Sequence, residues 1–275
     1  MEEIQIQIDS LNSWINQNGW KGWDPYDLKS HPFFLRMQRL PHRGFYRIVK
    51  AIINNWTEIF PIFNRKIFCV KQKINAKTVA LLGLSYIKLY QLTYDDRYIV
   101  QYQQCIEWLI DNSHAESDQE LAWGYPFDWQ SLIFLPRYTP LCVPTALAGH
   151  AMLDGYEFLK ENKYLDYADK IRAFCLNRLN VMNFPDHGTI CFSYSPKDDF
   201  LVLNANLYTA GFLTRLAAIE GDSSLLEIAR QARLFSIQQQ LPDGSWPYWS
   251  TLYRPKMPVF IDNYHTGITL QWLAV

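Results

Sequence analysis

Helical periodicity dominates the pattern of apolar and polar positions. Apolar residues recurring every three to five positions predict helices over about 3–18, 44–60, 76–93, 96–112, 143–160, 163–181, 204–220, 223–240 and 263–275. Segment 163–181 shows the pattern well. Leu165, Ala168, Ile171, Phe174 and Leu179 fall on one face, and Asp166, Asp169, Lys170 and Arg172 fill the other. The connections alternate in length. Tyr94-Asp95-Asp96, Glu161-Asn162-Lys163 and Gly221-Asp222-Ser223 read as tight turns, so the helices they join form αα-hairpins. The other joints, about 113–142, 183–202 and 241–261, are long. Loops of that length in a compact domain are usually functional or disordered, and their Trp, Tyr, Phe and Pro content argues against disorder.

The long loops also repeat. Each carries an aromatic element: Trp123-Gly124-Tyr125-Pro126, Phe192-Ser193-Tyr194-Ser195-Pro196, and Trp246-Pro247-Tyr248-Trp249. Each leads into the first helix of the next pair, and those helices start about 60 residues apart. A unit of two helices plus a loop, repeated, predicts a curved or closed helical array. The expectation is an all-α fold, an (α/α) toroid of helical hairpins with short β-like segments in the long loops, as one domain over 1–275. The short turns lie at one end and the aromatic loops at the other. With the first helices lining the inside, their N-termini and the loops converge on one funnel. Unsatisfied N–H groups and positive dipole ends there would favour an anionic or hydroxyl-rich ligand. The last pair stops inside its first helix, so either the N-terminal helices close the ring or the ring is open or truncated.

Composition narrows the function. Aromatic residues make up 16% of the chain and charged residues 19%, below the roughly 25% typical of soluble domains. With 12 glycines in 275 residues, a Gly-rich nucleotide-binding architecture is not expected. A formal net charge of -1 gives no polycationic footprint for nucleic acid. The acidic start, Met1-Glu2-Glu3-Ile4, lacks an apolar signal segment, and no run is long enough to span a membrane. Five scattered cysteines without a Cys-x-x-Cys pair read as reduced thiols of a cytoplasmic protein. The histidines His31, His42, His114, His150 and His187 form no metal-spaced set, and His187, Cys191 and His265 lack the short ligand pair that anchors zinc. Neither a metal nor a cofactor is expected.

Four clusters could carry chemistry. In the first, Trp123, Tyr125 and Trp129 offer flat faces for sugar rings, and Asp128 and Gln130 offer groups for hydroxyls. The competing reading is a loop pinned by buried aromatics. In the second, Tyr194 precedes Asp198-Asp199, read as a solvated turn, and then Asn204 and Asn206 at a helix start. Asn204 has an alternative as an N-cap, but one helix cannot use two. In the third, Trp246 and Tyr248 follow the turn signal Asp243-Gly244, and a Trp folded back as a clasp is the stronger reading. In the fourth, Asp262 or Asn263 suits an N-cap, placing His265 in the first helical turn. The dipole there disfavours imidazolium, and a neutral His suits a general base. Asp24-Pro25-Tyr26-Asp27 reads as a helix start.

Taken together, Gly-Trp-Asp-Pro-Tyr-Asp at 22–27, Trp-Gly-Tyr-Pro-Phe-Asp-Trp-Gln at 123–130, Phe-Ser-Tyr-Ser-Pro at 192–196, Asp-Gly-Ser-Trp at 243–246 and Asp-Asn-Tyr-His-Thr-Gly at 262–267 resemble a prokaryotic family associated with surface-polysaccharide biosynthesis. Its members often carry the name delta-aminolevulinic acid dehydratase. That name conflicts with this sequence, because the dehydratase is a (β/α) barrel and no alternating strand pattern is present. More broadly, the layout is similar to the six-hairpin (α/α) toroids: glycosidases, unsaturated-glucuronyl hydrolases, polysaccharide lyases, N-acylglucosamine 2-epimerases and heparosan C5-epimerases. The resemblance implies an oligosaccharide, polysaccharide or sugar precursor as the partner.

Hydrolysis would need two carboxyls, with Asp128 and Asp262 or Asp199 as the candidate set. Lyase or epimerase chemistry would use Tyr or His, and Tyr125, Tyr194, Tyr248 and His265 supply them. The expected catalytic set is His265, Tyr194, Asp128 and Asp262. The expected binding set is Trp123, Tyr125, Trp129, Gln130, Asn204, Asn206, Trp246 and Tyr248. A non-catalytic glycan-binding or assembly module is the alternative. A terpenoid cyclase-like protein is a third reading, favoured by Gln240 through Trp246 but opposed by the absence of an Asp-rich motif.

Overall fold

A computed structural model describes residues 2–39, 44–252 and 259–274. His42, Val275 and part of the third long loop therefore lie outside the described residues. The chain folds into two compact units, Met1–Thr78 with Tyr125–Tyr138, and Val79–Gly124 with Thr139–Val275.

The first unit contains α1 (Glu2–Asn18), a short 3-10 turn (Asp27–Ser30), α2 (Pro32–Gln38), α3 (Phe45–Ile59) and α4 (Pro61–Ile67). The helix expected over 44–60 breaks after Ile59, because Pro61 has no N–H to continue the ladder and opens α4 instead. The expected start at 24–27 yields only the 3-10 turn. Asp24 Oδ1 accepts from Tyr26 N, and Asp27 Oδ2 accepts from Asp24 N. Asp27 is buried and pairs with Arg65, Nε to Oδ1 at 2.8 Å, while the guanidinium also donates to the carbonyls of Asp24 and Pro61. Burial raises the Asp24 carboxyl above its ordinary value, with the neighbouring Asp27 charge adding to it. His31, Phe33, Phe34 and Phe68 form an aromatic cluster beside this pair. An antiparallel ribbon completes the unit. It joins β1 (Trp129–Gln130) to β2 (Phe134–Leu135), with Trp129 opposite Leu135.

The second unit is built of hairpins: α5 (Ala76–Thr93) with α6 (Asp96–Asp111), α7 (Cys142–Leu159) with α8 (Asn162–Asn177), and α9 (Leu203–Glu220) with α10 (Ser223–Gln238), followed by α11 (Asn263–Leu273). The tight turns fall where the sequence placed them. Asp95 and Asp222 cap α6 and α10 with their side chains. Gly221 ends α9 in the left-handed conformation that a turn of this kind requires. The helix expected over 163–181 stops at Asn177. Val181 instead begins β3 (Val181–Phe184), paired antiparallel with β4 (Thr189–Phe192), because the buried run Thr189–Phe192 needs a partner strand.

The hairpins stack in order. Tyr90 of α5 meets Phe158 of α7 edge to face, α7 packs on α9, and α9 packs on α11. Helices α7 and α9 are buried nearly all round. The second helices bury a single face, as in α10 with Leu225, Ala229, Ala232 and Phe235. Close approach is built in. A Cβ at Gly149 would lie 2.6 Å from the Phe212 ring, so only glycine lets α7 and α9 meet there. Among the described residues, no helix is long and apolar enough to cross a membrane.

Candidate functional site

The long-loop end of the second unit gathers the groups with chemistry. The segment around Tyr248 runs as an extended staple. Tyr248 N donates to Phe260 O at 2.7 Å, Leu203 N donates to Tyr248 O at 3.1 Å, and Ser250 N donates to Leu201 O at 2.8 Å. These bonds tie the start of α9 to the approach of α11. They also place the Tyr248 ring edge to face against His265, with centroids 4.5 Å apart.

Asp262 caps α11. Its Oδ1 accepts from His265 N at 2.7 Å, and its Oδ2 lies 2.5 Å from His265 Nδ1. One carboxylate therefore fixes both the helix start and the imidazole. Partial burial pushes its carboxyl up. The hydrogen bonds from the His265 backbone and ring outweigh this, so it stays below the ordinary carboxylate value. An ionised Asp262 only accepts, so the proton of a neutral His265 sits on Nδ1 and the lone pair on Nε2. Both side chains are a little over one-quarter exposed, at 28% and 27%. An imidazole held in this way can accept a proton at Nε2.

Tyr264 flanks His265 at 5.2 Å and is exposed. Asn204 is the second residue of α9, not its cap; Val202 holds that position with no side-chain bond. Asn204 Oδ1 is buried and has no hydrogen-bond partner among the described residues. An unpaired buried acceptor costs roughly 1–3 kcal/mol unless a water or ligand group reaches it.

The other expected site residues of this unit serve the scaffold. Trp123 is fully buried, with Nε1 donating to Leu109 O, so it has no face to offer a sugar. Asn206 is a buried clasp. It accepts from Phe192 N and donates to Ala232 O and Ser236 Oγ, which explains why a second asparagine stands in the first turn. Trp246 is folded back into the core, its Nε1 on Ser236 O, packed among Cys191, Leu201, Leu203 and Phe235. Tyr194 is buried, and its backbone is spent on Cys142 N and Asp198. Asp198 is not the solvated turn expected. It is buried and accepts from Tyr194 N, Phe200 N and Ser195 Oγ, because that loop's N–H groups need an acceptor. Burial raises its carboxyl, and these bonds only partly offset the rise. The helix N-termini expected to face a funnel are likewise partly used, since Cys142 N and Leu203 N donate to loop carbonyls.

Asp128, Tyr125, Trp129 and Gln130 belong to the first unit. Asp128 Oδ1 accepts from Arg137 N, closing the ribbon. Tyr125 stacks on Phe127, and Trp129 lies against Tyr125 and Tyr26. Gln130 Oε1 accepts from Arg39 Nε. Among the described residues, no group of three or more His, Cys, Asp or Glu could hold a metal ion.

Two features escaped the sequence. Tyr208 lies one turn after Asn204 on α9, packs on Trp272, and has its phenol pushed up to about 12, chiefly by burial. The i, i+4 spacing of Asn204 and Tyr208 on an inner helix was the available signal. The second is a polar network inside the helices. Arg215 bonds Asp154 at 2.6 Å and approaches His150 Nδ1 at 3.3 Å, and His150 stacks on Trp272 at 4.0 Å. His150 and Asp154 are also one turn apart, on α7.

No protein-family model matches the chain, and no curated protein matches it. Solved structures do. A family 76 glycoside hydrolase from a bovine Bacteroides thetaiotaomicron strain superimposes with a TM-score of 0.54 at 16% identity, covering 74% of this chain and 45% of that one. A possible member of glycoside hydrolase family 105 from Salmonella enterica serovar Paratyphi A gives 0.55 at 10% identity, covering 73% and 55%. The unsaturated glucuronyl hydrolase of Bacillus sp. GL1, responsible for glycosaminoglycan degradation, gives 0.52 at 14% identity, covering 72% and 54%. The fold is therefore of the all-α, (α/α) toroid class. The chain spans about half the length of these structures.

Proposed function

We propose that this chain is a carbohydrate-active enzyme that abstracts a proton from a uronate-bearing oligosaccharide, polysaccharide or sugar precursor, with His265 as the base. The observation that carries the reading is the 2.5 Å contact between His265 Nδ1 and Asp262 Oδ2, which puts the lone pair of a neutral imidazole on Nε2. The C–H bond alpha to the uronate carboxylate breaks, its proton passes to Nε2, and the electron pair is held as the carboxylate's enolate. Reprotonation from the other face gives epimerisation, and expulsion of the β-oxygen substituent gives elimination. The dipoles at the starts of α9 and α11 favour the negative charge that develops. Tyr264 lies beside His265 as a donor, and Asn204 Oδ1 stands ready for a sugar hydroxyl.

Hydrolysis is less well supported. It needs two free carboxyls, and both oxygens of Asp262 are engaged by His265. An acidic glycan also fits a fold shared with an unsaturated glucuronyl hydrolase. The motifs at 22–27, 123–130 and 262–267 support a role in surface-polysaccharide synthesis or modification. Five free thiols, four of them buried, suit the cytoplasm.

The test is incubation with uronate-containing oligosaccharides in heavy water, followed by mass spectrometry. The expected result is deuterium uptake or an unsaturated product, reduced about 10²–10⁴-fold in His265→Gln. Glycan binding without exchange or elimination would replace this reading with that of a binding module.

A further inference from the structure

The first unit contains a surface with its polarity inverted. Helix α4 buries Asn64 and Arg65, at 1% and 7% exposure, while Phe63 and Ile67 stand out at 57% and 56%. Helix α3 is exposed over most of its surface, with Val49, Lys50 and Ile53 half-buried beside Thr57. Its only buried residue is Thr57, and Phe45, Ile48, Ile52, Trp56 and Ile59 are all exposed. The spacing 45, 48, 52, 56, 59 keeps these five on one stripe. Ile62 of α4 adds to the same exposed apolar set. The inversion has a local cause. Arg65 is drawn inward by the Asp27 carboxylate, and Asn64 exchanges hydrogen bonds with Trp56, its Oδ1 accepting from the indole and its Nδ2 donating to the carbonyl. With the polar side of α4 spent inside, its apolar side faces outward.

Charge is segregated onto the same stretch. Residues 28–77 hold eleven of the chain's 26 Lys and Arg but one of its 27 Asp and Glu, Glu58. Arg47 and Lys66, on α3 and α4 themselves, are exposed. A short helix with an aliphatic and aromatic stripe on one face and cations on the other suits the plane of a lipid interface. At 15 residues α3 is too short to span a bilayer. A second copy is a poorer occupant, because pairing this stretch with itself would set like charges together. Nucleic acid is poorer still, because a phosphate backbone cannot cover Ile48, Ile52 and Ile59.

We infer that α3 and α4 form a docking surface for an anionic phospholipid bilayer, with the apolar stripe entering the headgroup region and the surrounding Lys and Arg contacting lipid phosphate. This surface belongs to the first unit and the His265 site to the second, and the inference does not depend on that site's chemistry.

The test is co-sedimentation of the full chain with vesicles of phosphatidylcholine alone and of phosphatidylcholine with phosphatidylglycerol. Binding is expected at least ~10-fold tighter on the anionic vesicles and weaker at high salt. Arg47→Gln with Lys66→Gln should weaken it about 25-fold, at roughly fivefold per charge. Ile52→Asp should abolish it with an unchanged circular dichroism spectrum. Quenching of tryptophan fluorescence by bromine-labelled lipid should fall in Trp56→Phe, a readout confined to this stripe. Equal binding to both vesicles, binding that survives Ile52→Asp, or quenching unaffected by Trp56→Phe would overturn the proposal. So would concentration-dependent self-association or RNA binding that Ile52→Asp abolishes while vesicles are ignored.

Discussion

In α7 fourteen consecutive residues, Cys142–Gly155, are buried, whereas α3, of similar length, buries Thr57 alone. Both segments are rich in apolar residues, and both read as helices from periodicity. The difference lies in their neighbours. Helix α7 is enclosed by α8 and α9 and touched by α5, so its apolar residues face protein on every side. The few polar groups it buries, such as His150 and Asp154, are held by Arg215. Helix α3 instead buries only Thr57 fully, with Val49, Lys50 and Ile53 half-buried, in a unit that also holds the buried Asp27–Arg65 ion pair. An apolar stripe thus states that a helix has a face to bury, not that the same chain will bury it.

The contrast is sharpest in the cost of removing apolar groups. Phe212→Ala, in the α7–α9 contact, should cost about 3–5 kcal/mol, read as a lower urea midpoint with an unchanged slope. A loss under about 1 kcal/mol would show that the second unit is loosely packed.

A smaller effect concerns acid. Burial, helped by Arg215, holds His150 well below its ordinary value, and burial also lowers His114. Both lie in the second unit. A group whose folded value is depressed binds its proton more readily when unfolded. The folded state therefore loses stability as pH falls below about 6.5, by up to about 1.4 kcal/mol per pH unit for each histidine. Urea midpoints at pH 7.5 and 5.5 should differ accordingly, and His150→Gln should flatten the difference. The smallest effect belongs to the first unit. Ile52→Ala should change stability by no more than about 0.5 kcal/mol, and a loss comparable to Phe212→Ala would mean that the stripe is covered.

The candidate site was legible where it follows local rules. Asp262 three residues before His265 is an N-cap pattern, and the first-turn position of the imidazole comes with it. Asp243-Gly244 and the Trp246 clasp were local too. What was not legible depended on partners far along the chain. Trp123 sits in an aromatic loop yet is buried, because Leu109 O receives its indole. Asn206 resembles a ligand group until Phe192 and Ala232 are seen around it.

The sequence by itself therefore determined the long helices of the second unit, the alternation of tight turns and long loops, and the first-turn position of His265 after an N-cap at Asp262 or Asn263. All of these follow from spacings of a few residues, where backbone geometry leaves little choice. The tertiary structure decided which apolar faces are core and which polar groups are free. Asp27 and Arg65 show why: 38 positions separate them, and only their meeting turns the polar edge of α4 inward and its apolar edge outward.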